Sequence, residues 1–353
     1  LKSSKKYLAI DIALNIYTVP DRTDVEQAVG LLRSRYPDFI IDANHLYDLH
    51  DGETGKQKQI LQWGKVTKSC GKGLKIGLLD TDLQSNHTMF AGREITRKSF
   101  LPPGEKPAPK FHATAITSIW ISEKTGLAPS AKVYVASVFR RENKKQINTS
   151  TEWLLSGLNW LAEQEVDGIN LSFGGPANEV FEKAISNVQK KGMILVASAG
   201  NNGPAAAPVF PAAHKGVIAV TAIDNKLKLY NRANNGDYID FAAPGVNILV
   251  AKPGNGKKIV SGTSYAAPYV AAAVAILKQS DKADLKTQIK HLKSTSKDLG
   301  KAGKDNKYGY GLIQLKNACV IASTSKGNKS VASANEGNQV IQNYESKTLS
   351  SSQ

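Results

Sequence analysis

Residues 260–277 read VSGTSYAAPYVAAAVAIL, a turn of small residues followed at once by a long run rich in alanine and valine. This run predicts a buried helix, and Gly262, Thr263 and Ser264 form the turn that leads into it. Ser264 is therefore expected in the first helical turn, where free N–H groups and the helix dipole favour a developing negative charge. A helix-capping role would explain Ser264 alone, but not the small residues packed around it.

Short apolar strands alternate with helices along the chain from about residue 75 onwards. The predicted strands are 75–80, 132–139, 168–173, 193–199 and 217–223. The predicted helices are about 113–122, 152–165, 178–191, 265–279 and 284–294. This alternation predicts an α/β domain in which a parallel sheet is covered by helices on both faces. In such sheets the functional residues gather at the carboxyl ends of the strands.

The chain ahead of this domain has a different pattern. Residues 6–20 are predicted to be extended, 24–36 to form a helix capped by Asp24, and 39–42 to form a short strand, which together make a small α+β unit. The proposed divisions are the unit at 1–50, a polar linker at 51–65, the α/β domain at 66–323 and a flexible tail rich in Ser, Asn, Gln and Lys at 324–353.

Composition excludes several classes of protein. The 353 residues are 41% hydrophobic and 22% charged, which is ordinary for a globular protein and excludes wholesale disorder. No stretch approaches the roughly 18–20 apolar residues of a membrane-spanning helix. The net charge of +16 favours a nucleic-acid-binding protein as one alternative. However, the basic residues are interspersed with acidic ones, as in 282–307, and no nucleic-acid-binding motif is present, so a solvated basic surface is preferred.

The two cysteines leave two possibilities open. Cys70 and Cys319 lie far apart, and neither belongs to a CxxC pair, so a zinc site is not expected. They form either a single long-range disulfide in an oxidising compartment or two inert thiols.

Three further residues carry chemistry in places where the predicted sheet would gather them. Asp80 closes the strand KIGLLD, and His112 begins a helical run in KFHATAITSIW. Asn201 follows the strand in MILVASAGNNGP, where its amide could donate a hydrogen bond to an oxyanion. Taken singly, Asp80 is also explained as a cap of the turn that follows it, and His112 as a surface or capping residue.

Taken together, four separated blocks resemble the motifs of the subtilases, the subtilisin-like serine peptidases. The blocks are LLDTDLQSNH, HATAITSIW, ASAGNNG and SGTSYAAPYVA, and the resemblance covers about 66–320. It implies a three-layer, parallel-sheet, subtilisin-like catalytic domain preceded by a small propeptide-like unit. It also implies a serine endopeptidase that works through an acyl-enzyme intermediate, with Asp80, His112 and Ser264 as the triad and Asn201 in the oxyanion hole.

The resemblance also implies where a peptide substrate binds. Two strand edges are expected to hold it as an added strand, and a third segment is expected to line the first specificity pocket. The residues concerned are Thr149, Ser150 and Thr151 on one edge, Ser172, Phe173 and Gly174 on the other, and Ala199 and Gly200 in the pocket wall. Because this wall carries no charge, a small or apolar residue is expected before the scissile bond, rather than Lys or Arg.

Three positions depart from the family pattern. Asp82 stands where the Asp motif has glycine, and Ala113 and Ala115 replace the glycine and the second histidine of His-Gly-Thr-His. The alternative function is therefore a catalytically weak or inactive relative that acts as a peptide-binding module.

The remaining expectations concern cofactors, partners and location. No cofactor is expected, and the family's strong calcium site is predicted to be absent, because residues 121–125 hold Glu123 as their one carboxylate and Met89 stands at another ligand position. The weaker calcium sites stay open. The protein is expected to be a monomer that acts on proteins or peptides, not on nucleic acid, and to be secreted or periplasmic, with a leader that is not part of this chain. Residues 1–50 would be either an inhibitory propeptide or a permanent accessory domain.

Overall fold

The structure is a computed structural model that describes residues 3–20, 23–44, 46–49, 57–123, 125–143, 146–281, 285–316 and 318–319. The strands are β1 (Ser3–Tyr7), β2 (Ile12–Ile16), β3 (Leu46–Leu49), β4 (Lys75–Asp80), β5 (Ile95–Ser99), β6 (Lys132–Ser137), β7 (Arg140–Arg141), β8 (Ile147–Ser150), β9 (Gly168–Leu171), β10 (Phe173–Gly174), β11 (Ile194–Ser198), β12 (Ile218–Ile223), β13 (Phe241–Pro244), β14 (Ile248–Lys252) and β15 (Gly256–Val260). The α-helices are α1 (Val25–Arg35), α2 (Gln57–Ile60), α3 (Phe111–Ile121), α4 (Thr151–Glu163), α5 (Glu179–Lys190), α6 (Thr263–Asp281) and α7 (Leu285–Thr295). The predicted tail at 324–353 and residues 51–56 of the predicted linker lie outside the described residues.

Seven parallel strands form the central sheet, in the order β13-β12-β11-β9-β4-β6-β5. Helices α3 and α6 pack on one face of this sheet, and α4 and α5 pack on the other. The strands read as continuous apolar runs because both of their faces are buried, as β4 and β11 illustrate. The three-layer α/β fold predicted from the sequence is confirmed.

Small residues allow the helices to lie close to the sheet. The alanines of α6 are fully buried, and this helix packs against β9, β11 and β12. On the other face, a Cβ at Gly157 of α4 would clash with the Leu79 side chain. Substitution of this glycine would therefore push the helix away from the strand that ends at Asp80.

The N-terminal part of the chain contacts the α/β domain through its first two strands and the turn between them. Strands β1 and β2 make a hairpin that packs against α4 and α5 and buries Tyr7 and Ile10. Asn187 of α5 donates a hydrogen bond to the backbone oxygen of Ile10 at 2.6 Å. Helix α1, in contrast, contributes no buried residue, and Leu31 is 74% exposed.

Two details of the N-terminal prediction are wrong. The extended stretch predicted at 6–20 is interrupted by a 3-10 turn at 8–10, and residues 39–42 form no strand. The strand of this region is instead β3, at 46–49. Strand β3 finds its hydrogen-bonding partners far away in the chain, which local sequence does not reveal.

The cysteines form a disulfide, so one of the two open possibilities is settled. Cys70 and Cys319 are joined across 249 positions, with their Cα atoms 4.9 Å apart. Closing a loop of this length reduces the entropy of the unfolded chain by an amount worth about 5 kcal/mol in the simple chain model. The disulfide therefore ties the beginning of the α/β domain to its end.

No helix among the described residues is long and apolar enough to cross a membrane.

One buried histidine away from the predicted site responds to pH. Burial lowers the pKa of His214 from 6.5 to about 4, and its Nε2 has no hydrogen-bond partner among the described residues. The imidazole is therefore neutral at pH 7, and its 3.7 Å contact with Glu182 is not an ion pair.

Folding stability is expected to fall as the pH drops from about 6.5 towards 4, because the unfolded chain takes up a proton at His214 that the folded chain does not. At pH 5 the loss from this residue is about 2 kcal/mol. Urea unfolding at pH 7.5 and pH 5, in a Ser264→Ala background, measures the loss. The added change His214→Gln should reduce the difference between the two pH values by about this amount, and an unchanged difference would contradict the assignment.

Candidate active site

A buried carboxylate and an imidazole form the first pair of the site. Asp80 ends β4 and is fully buried, and His112 lies in the first turn of α3 with 3% of its surface exposed. His112 Nδ1 lies 2.9 Å from Asp80 Oδ1 and 2.8 Å from Oδ2. Because an ionised carboxylate only accepts hydrogen bonds, Nδ1 carries the proton and Nε2 carries the basic lone pair. The Thr81 N–H donates to Asp80 Oδ1 at 2.6 Å and fixes the carboxylate further.

Ser264 lies in the first turn of α6 and forms two hydrogen bonds with Ser172. Its Oγ donates to the Ser172 backbone oxygen at 3.2 Å, and Ser172 Oγ donates to the Ser264 backbone oxygen at 2.8 Å. The Ser264 backbone oxygen has no helical partner because the residue four positions later is Pro268, which lacks an N–H. The spacing of serine and proline in the motif thus frees a carbonyl that Ser172 then satisfies.

Helices α3 and α6 bring the histidine and the serine to the same place. Trp120 Nε1 of α3 donates to the Pro268 backbone oxygen at 2.8 Å, which joins the two helices in the buried core. The His112 ring lies 5.8 Å from the ring of Tyr265, the residue next to Ser264. The start of α6, which carries Ser264, therefore lies beside the Asp80–His112 pair.

Asn201 presents a buried N–H donor at this place. Its Oδ1 accepts hydrogen bonds from the Thr263 N–H at 2.9 Å and from Thr263 Oγ1 at 3.0 Å. These two donors set which way the amide faces, so Nδ2 points away from Thr263. Asn201 Nδ2 is buried and has no acceptor among the described residues. An oxyanion formed beside Ser264 is the kind of acceptor that this donor lacks.

Gly200 has to be glycine for this arrangement to form. Its φ is +103°, and a Cβ there would lie 2.7 Å from the Asn234 side chain. The Gly200 N–H donates to Thr263 Oγ1 at 3.2 Å. Thr263 is therefore bonded to Gly200 as well as to Asn201, and it holds the loop after β11 against the start of α6.

The two edges predicted to bind substrate are already bridged by a strand of the chain itself. Strand β3 lies between β8 and β10 in a four-stranded sheet of order β10-β3-β8-β7, and it runs antiparallel to both neighbours. The residue pairs across these ladders are Leu46–Ser150, Tyr47–Thr149, Asp48–Gly174 and Leu49–Phe173. The space between these edges therefore holds one extended segment of this chain, which pairs with both of them.

The other predicted binding residues have mixed positions. Thr151 is the first residue of α4, and the Ser150 side chain caps that helix by accepting from the Trp153 N–H at 3.4 Å. Ser150 therefore supports the helix as well as the edge. Ala199 and Gly200 follow β11, and the Ala199 oxygen accepts from the Tyr238 hydroxyl at 2.6 Å.

The departures from the family pattern are accommodated in the fold. Ala113 and Ala115 are fully buried in the core around α3. The Asp82 carboxylate receives hydrogen bonds from Arg97 Nη1 at 3.1 and 3.0 Å, and Lys110 Nζ lies 2.9 Å from Oδ2. Lys110 directly precedes α3, so this ion cluster ties the turn after Asp80 to the start of the helix that carries the histidine.

Sequence reasoning missed two parts of the site. The support that Thr263 gives to Asn201 could have been suspected from the threonine inside the serine motif. The insertion of β3 between β8 and β10 had no local signal, because a four-residue strand is too short to show a periodicity.

Comparisons with known proteins identify the family of the chain. The model of the Subtilase family matches residues 71–311. The minor extracellular protease Epr of Bacillus subtilis is 27% identical over 90% of this chain and 50% of its own length, so the chain spans half of that relative. The major intracellular serine protease of the same organism is 31% identical over 64% of this chain and 74% of its own length.

The fold is also found among solved structures. The prenylagaramide maturation protease PagA matches with a TM-score of 0.60 and 27% sequence identity. The match covers 73% of this chain and 96% of PagA.

Proposed function

The chain belongs to the subtilase family, and we propose that it is a serine endopeptidase that uses Asp80, His112 and Ser264 as a triad. The observation that carries this proposal is the buried Asp80–His112 pair, which meets the first turn of α6 at the carboxyl end of β4. Its substrates would be proteins or peptides bound in extended form between β8 and β10.

The first half of the reaction forms an acyl-enzyme. Rotation of the Ser264 side chain moves Oγ from the Ser172 oxygen towards His112 Nε2, which takes the hydroxyl proton as Oγ attacks the peptide carbonyl carbon. Asp80 holds the imidazole in the tautomer that makes Nε2 the base, and it stabilises the imidazolium that forms. Asn201 Nδ2 and the Ser264 N–H hold the negative oxygen of the tetrahedral intermediate. When this intermediate collapses, the imidazolium returns the proton to the leaving amine.

The second half reverses these roles with water. Neutral His112 takes a proton from a water molecule as its oxygen attacks the ester carbon on Ser264. Collapse of the second tetrahedral intermediate releases the carboxylic acid and returns the proton to Ser264 Oγ. The same oxyanion donors serve both steps, because the negative oxygen forms in the same position.

We further propose that β3 keeps the enzyme latent. Residues 46–49 use the backbone hydrogen-bonding groups of β8 and β10 that a substrate needs. A segment of the same chain has a high effective concentration at this site, so external peptides compete poorly until it leaves. Residues 1–50 would then act as an inhibitory propeptide rather than as a permanent accessory domain.

Processing is expected to separate these two roles. The wild-type chain should be cut within about Leu49–Lys58, and the Ser264→Ala chain should remain whole under the same conditions. Mass spectrometry of both purified proteins over time shows the masses and the cleavage site. A wild type that hydrolyses peptides while it keeps residues 1–50 would show that the N-terminal part is permanent.

Labelling with a phosphonate that reacts with active serines tests the activity itself against the inactive alternative. A working site should become labelled on Ser264 in the processed wild type, and the Ser264→Ala protein should stay unlabelled. No labelling of correctly folded wild type, after removal of residues 1–50 by an added protease, would favour a peptide-binding relative.

We propose that the protein works outside the cytoplasm, in a secreted or periplasmic location. Its relatives include proteases named as extracellular and as intracellular, so similarity alone does not decide. The Cys70–Cys319 disulfide favours an oxidising compartment.

We also propose that the strong calcium site of many subtilases is absent. The chain offers Met89 and Glu123 at the places where ligands are expected, and a thioether is a poor ligand for a hard cation. Among the described residues, no group of three or more His, Cys, Asp or Glu side chains is arranged to hold a metal ion. Calcium usually requires about 6–8 oxygen ligands, with several carboxylates among them.

Thermal unfolding of the Ser264→Ala protein should be the same in excess chelator and in millimolar calcium. A tight site would stabilise the folded state by mass action and raise the melting temperature. An increase of more than a few degrees with calcium, and not with magnesium, would contradict this prediction.

A further inference from the structure

A pocket of about 150 Å³ lies outside the candidate active site, and its charged lining is mainly basic. Among the described residues, Lys58, Lys68 and Arg93 line it together with one carboxylate, that of Glu123. Lys68 and Glu123 are exposed at its mouth, whereas Lys58 and Arg93 are half-buried. The formal charge of the lining at pH 7 is therefore positive.

The basic groups of this pocket have no carboxylate partner in the part of the chain that the structure describes. None of the three takes part in an ion pair with a carboxylate of the described residues. Arg93 Nε is buried and has no hydrogen-bond partner among those residues. Burial also lowers the pKa of Lys58, and no neighbouring anion offsets this effect. Buried guanidinium groups normally find an acceptor, so this Nε points to a missing one.

The pocket lies where the family resemblance would lead one to look for calcium. The Glu123 N–H donates to the Met89 backbone oxygen at 3.3 Å, so the two segments expected to supply ligands meet here. They meet beside two lysines and an arginine, which repel a divalent cation. The residues present do not fit calcium, and their charges favour the opposite kind of ion.

We propose that this pocket binds a small oxyanion of the phosphate or sulfate class. The Arg93 guanidinium presents several N–H donors in a planar fork that suits tetrahedral oxyanions. The ammonium groups of Lys58 and Lys68 add positive charge to the same pocket. The volume of the pocket suits one such ion rather than a polymer. Glu123 limits the affinity by repulsion at the mouth.

The first test uses the full chain with Ser264→Ala, a change that removes the candidate nucleophile and leaves the pocket unchanged. Sodium phosphate at about 10 mM should raise the melting temperature by a few degrees above sodium chloride of equal ionic strength. Titration calorimetry with inorganic phosphate should show one saturable site. Glycerol phosphate in place of phosphate distinguishes a pocket for the free ion from one that accepts a phosphate group of a larger molecule.

Charge changes of opposite sign make the test specific. Arg93→Gln should weaken phosphate binding about tenfold or more, and Glu123→Gln should tighten it several-fold. Lys215→Gln removes an exposed charge that does not line the pocket, and it should leave the affinity for phosphate unchanged. If Arg93→Gln unfolds the protein, Lys68→Gln at the mouth replaces it, with a several-fold loss expected.

Three results would overturn the proposal. One is the absence of any stabilisation by phosphate beyond that of chloride. Another is an equal loss of binding in Lys215→Gln and Arg93→Gln, which would show general attraction to a basic protein. The third is stabilisation by calcium that Glu123→Gln removes, which would show a cation site. None of these results depends on whether the protein hydrolyses peptides.

Discussion

Replacement of Ser264 by alanine is expected to lower peptide hydrolysis at least about 10⁴-fold without unfolding the protein, and His112→Ala and Asp80→Asn should have effects of comparable order. Losses of this order follow removal of triad residues in subtilisin. The physical reason is that the three residues act as one unit: without the base the hydroxyl is a poor nucleophile, and without the carboxylate the imidazole takes the wrong tautomer.

The measurement is kcat/KM on a peptide substrate, with circular dichroism as the control for folding. Residues 1–50 are first removed from each protein by an added protease that is then separated from it, because the triad variants are not expected to process themselves. Because the residues act together, the double variant Ser264→Ala with His112→Ala should be hardly worse than either single variant. Near-normal hydrolysis by Ser264→Ala, in a preparation free of other proteases, would refute the assignment of the nucleophile.

Removal of the Asn201 side-chain donor should lower kcat about 10²–10³-fold and leave KM nearly unchanged. The size is again that of the matching donor in subtilisin. The effect falls on kcat because the oxyanion exists in the transition state and not in the bound substrate. Asn201→Ala is the direct change.

Two further variants separate the donor from the structural role of this residue. Asn201→Asp keeps an oxygen that can accept from the Thr263 N–H, but it replaces the donor with a second oxygen. It should therefore be as poor a catalyst as Asn201→Ala, or a poorer one, while it folds normally. Thr263→Val removes one of the two bonds to Asn201 Oδ1 and should cause a smaller loss. If Asn201→Asp retained full kcat, Nδ2 would not be an oxyanion donor.

Much of the fold could be predicted because the sheet is buried on both faces. Strands such as β4 and β11 are continuous apolar runs, and the helices between them have ordinary lengths, so local pattern and tertiary structure agree. The same pattern predicted that Asp80 ends a strand and that His112 begins a helix, whereas their roles as a pair came from the family resemblance.

The parts that could not be predicted depend on partners far away in the sequence. Strand β3 is four residues long, and it is a strand because β8 and β10 offer it hydrogen bonds on both sides. The cysteines, separated by 249 positions, gave no indication of how close they lie in space. In both cases the decisive information is the meeting of distant segments, which no local periodicity records.

The disulfide also changes what self-digestion can do to this protein. Any single cut between Cys70 and Cys319 leaves two pieces that remain covalently joined, since both ends of the interval are held by the same bond. Such a nicked molecule keeps its full mass on a gel without reductant and separates into fragments only when the bond is reduced. Because the two pieces cannot diffuse apart, they can refold together after the cut. A protease that other active molecules of the same protein can cleave would thereby tolerate internal cuts that would inactivate a chain without the disulfide.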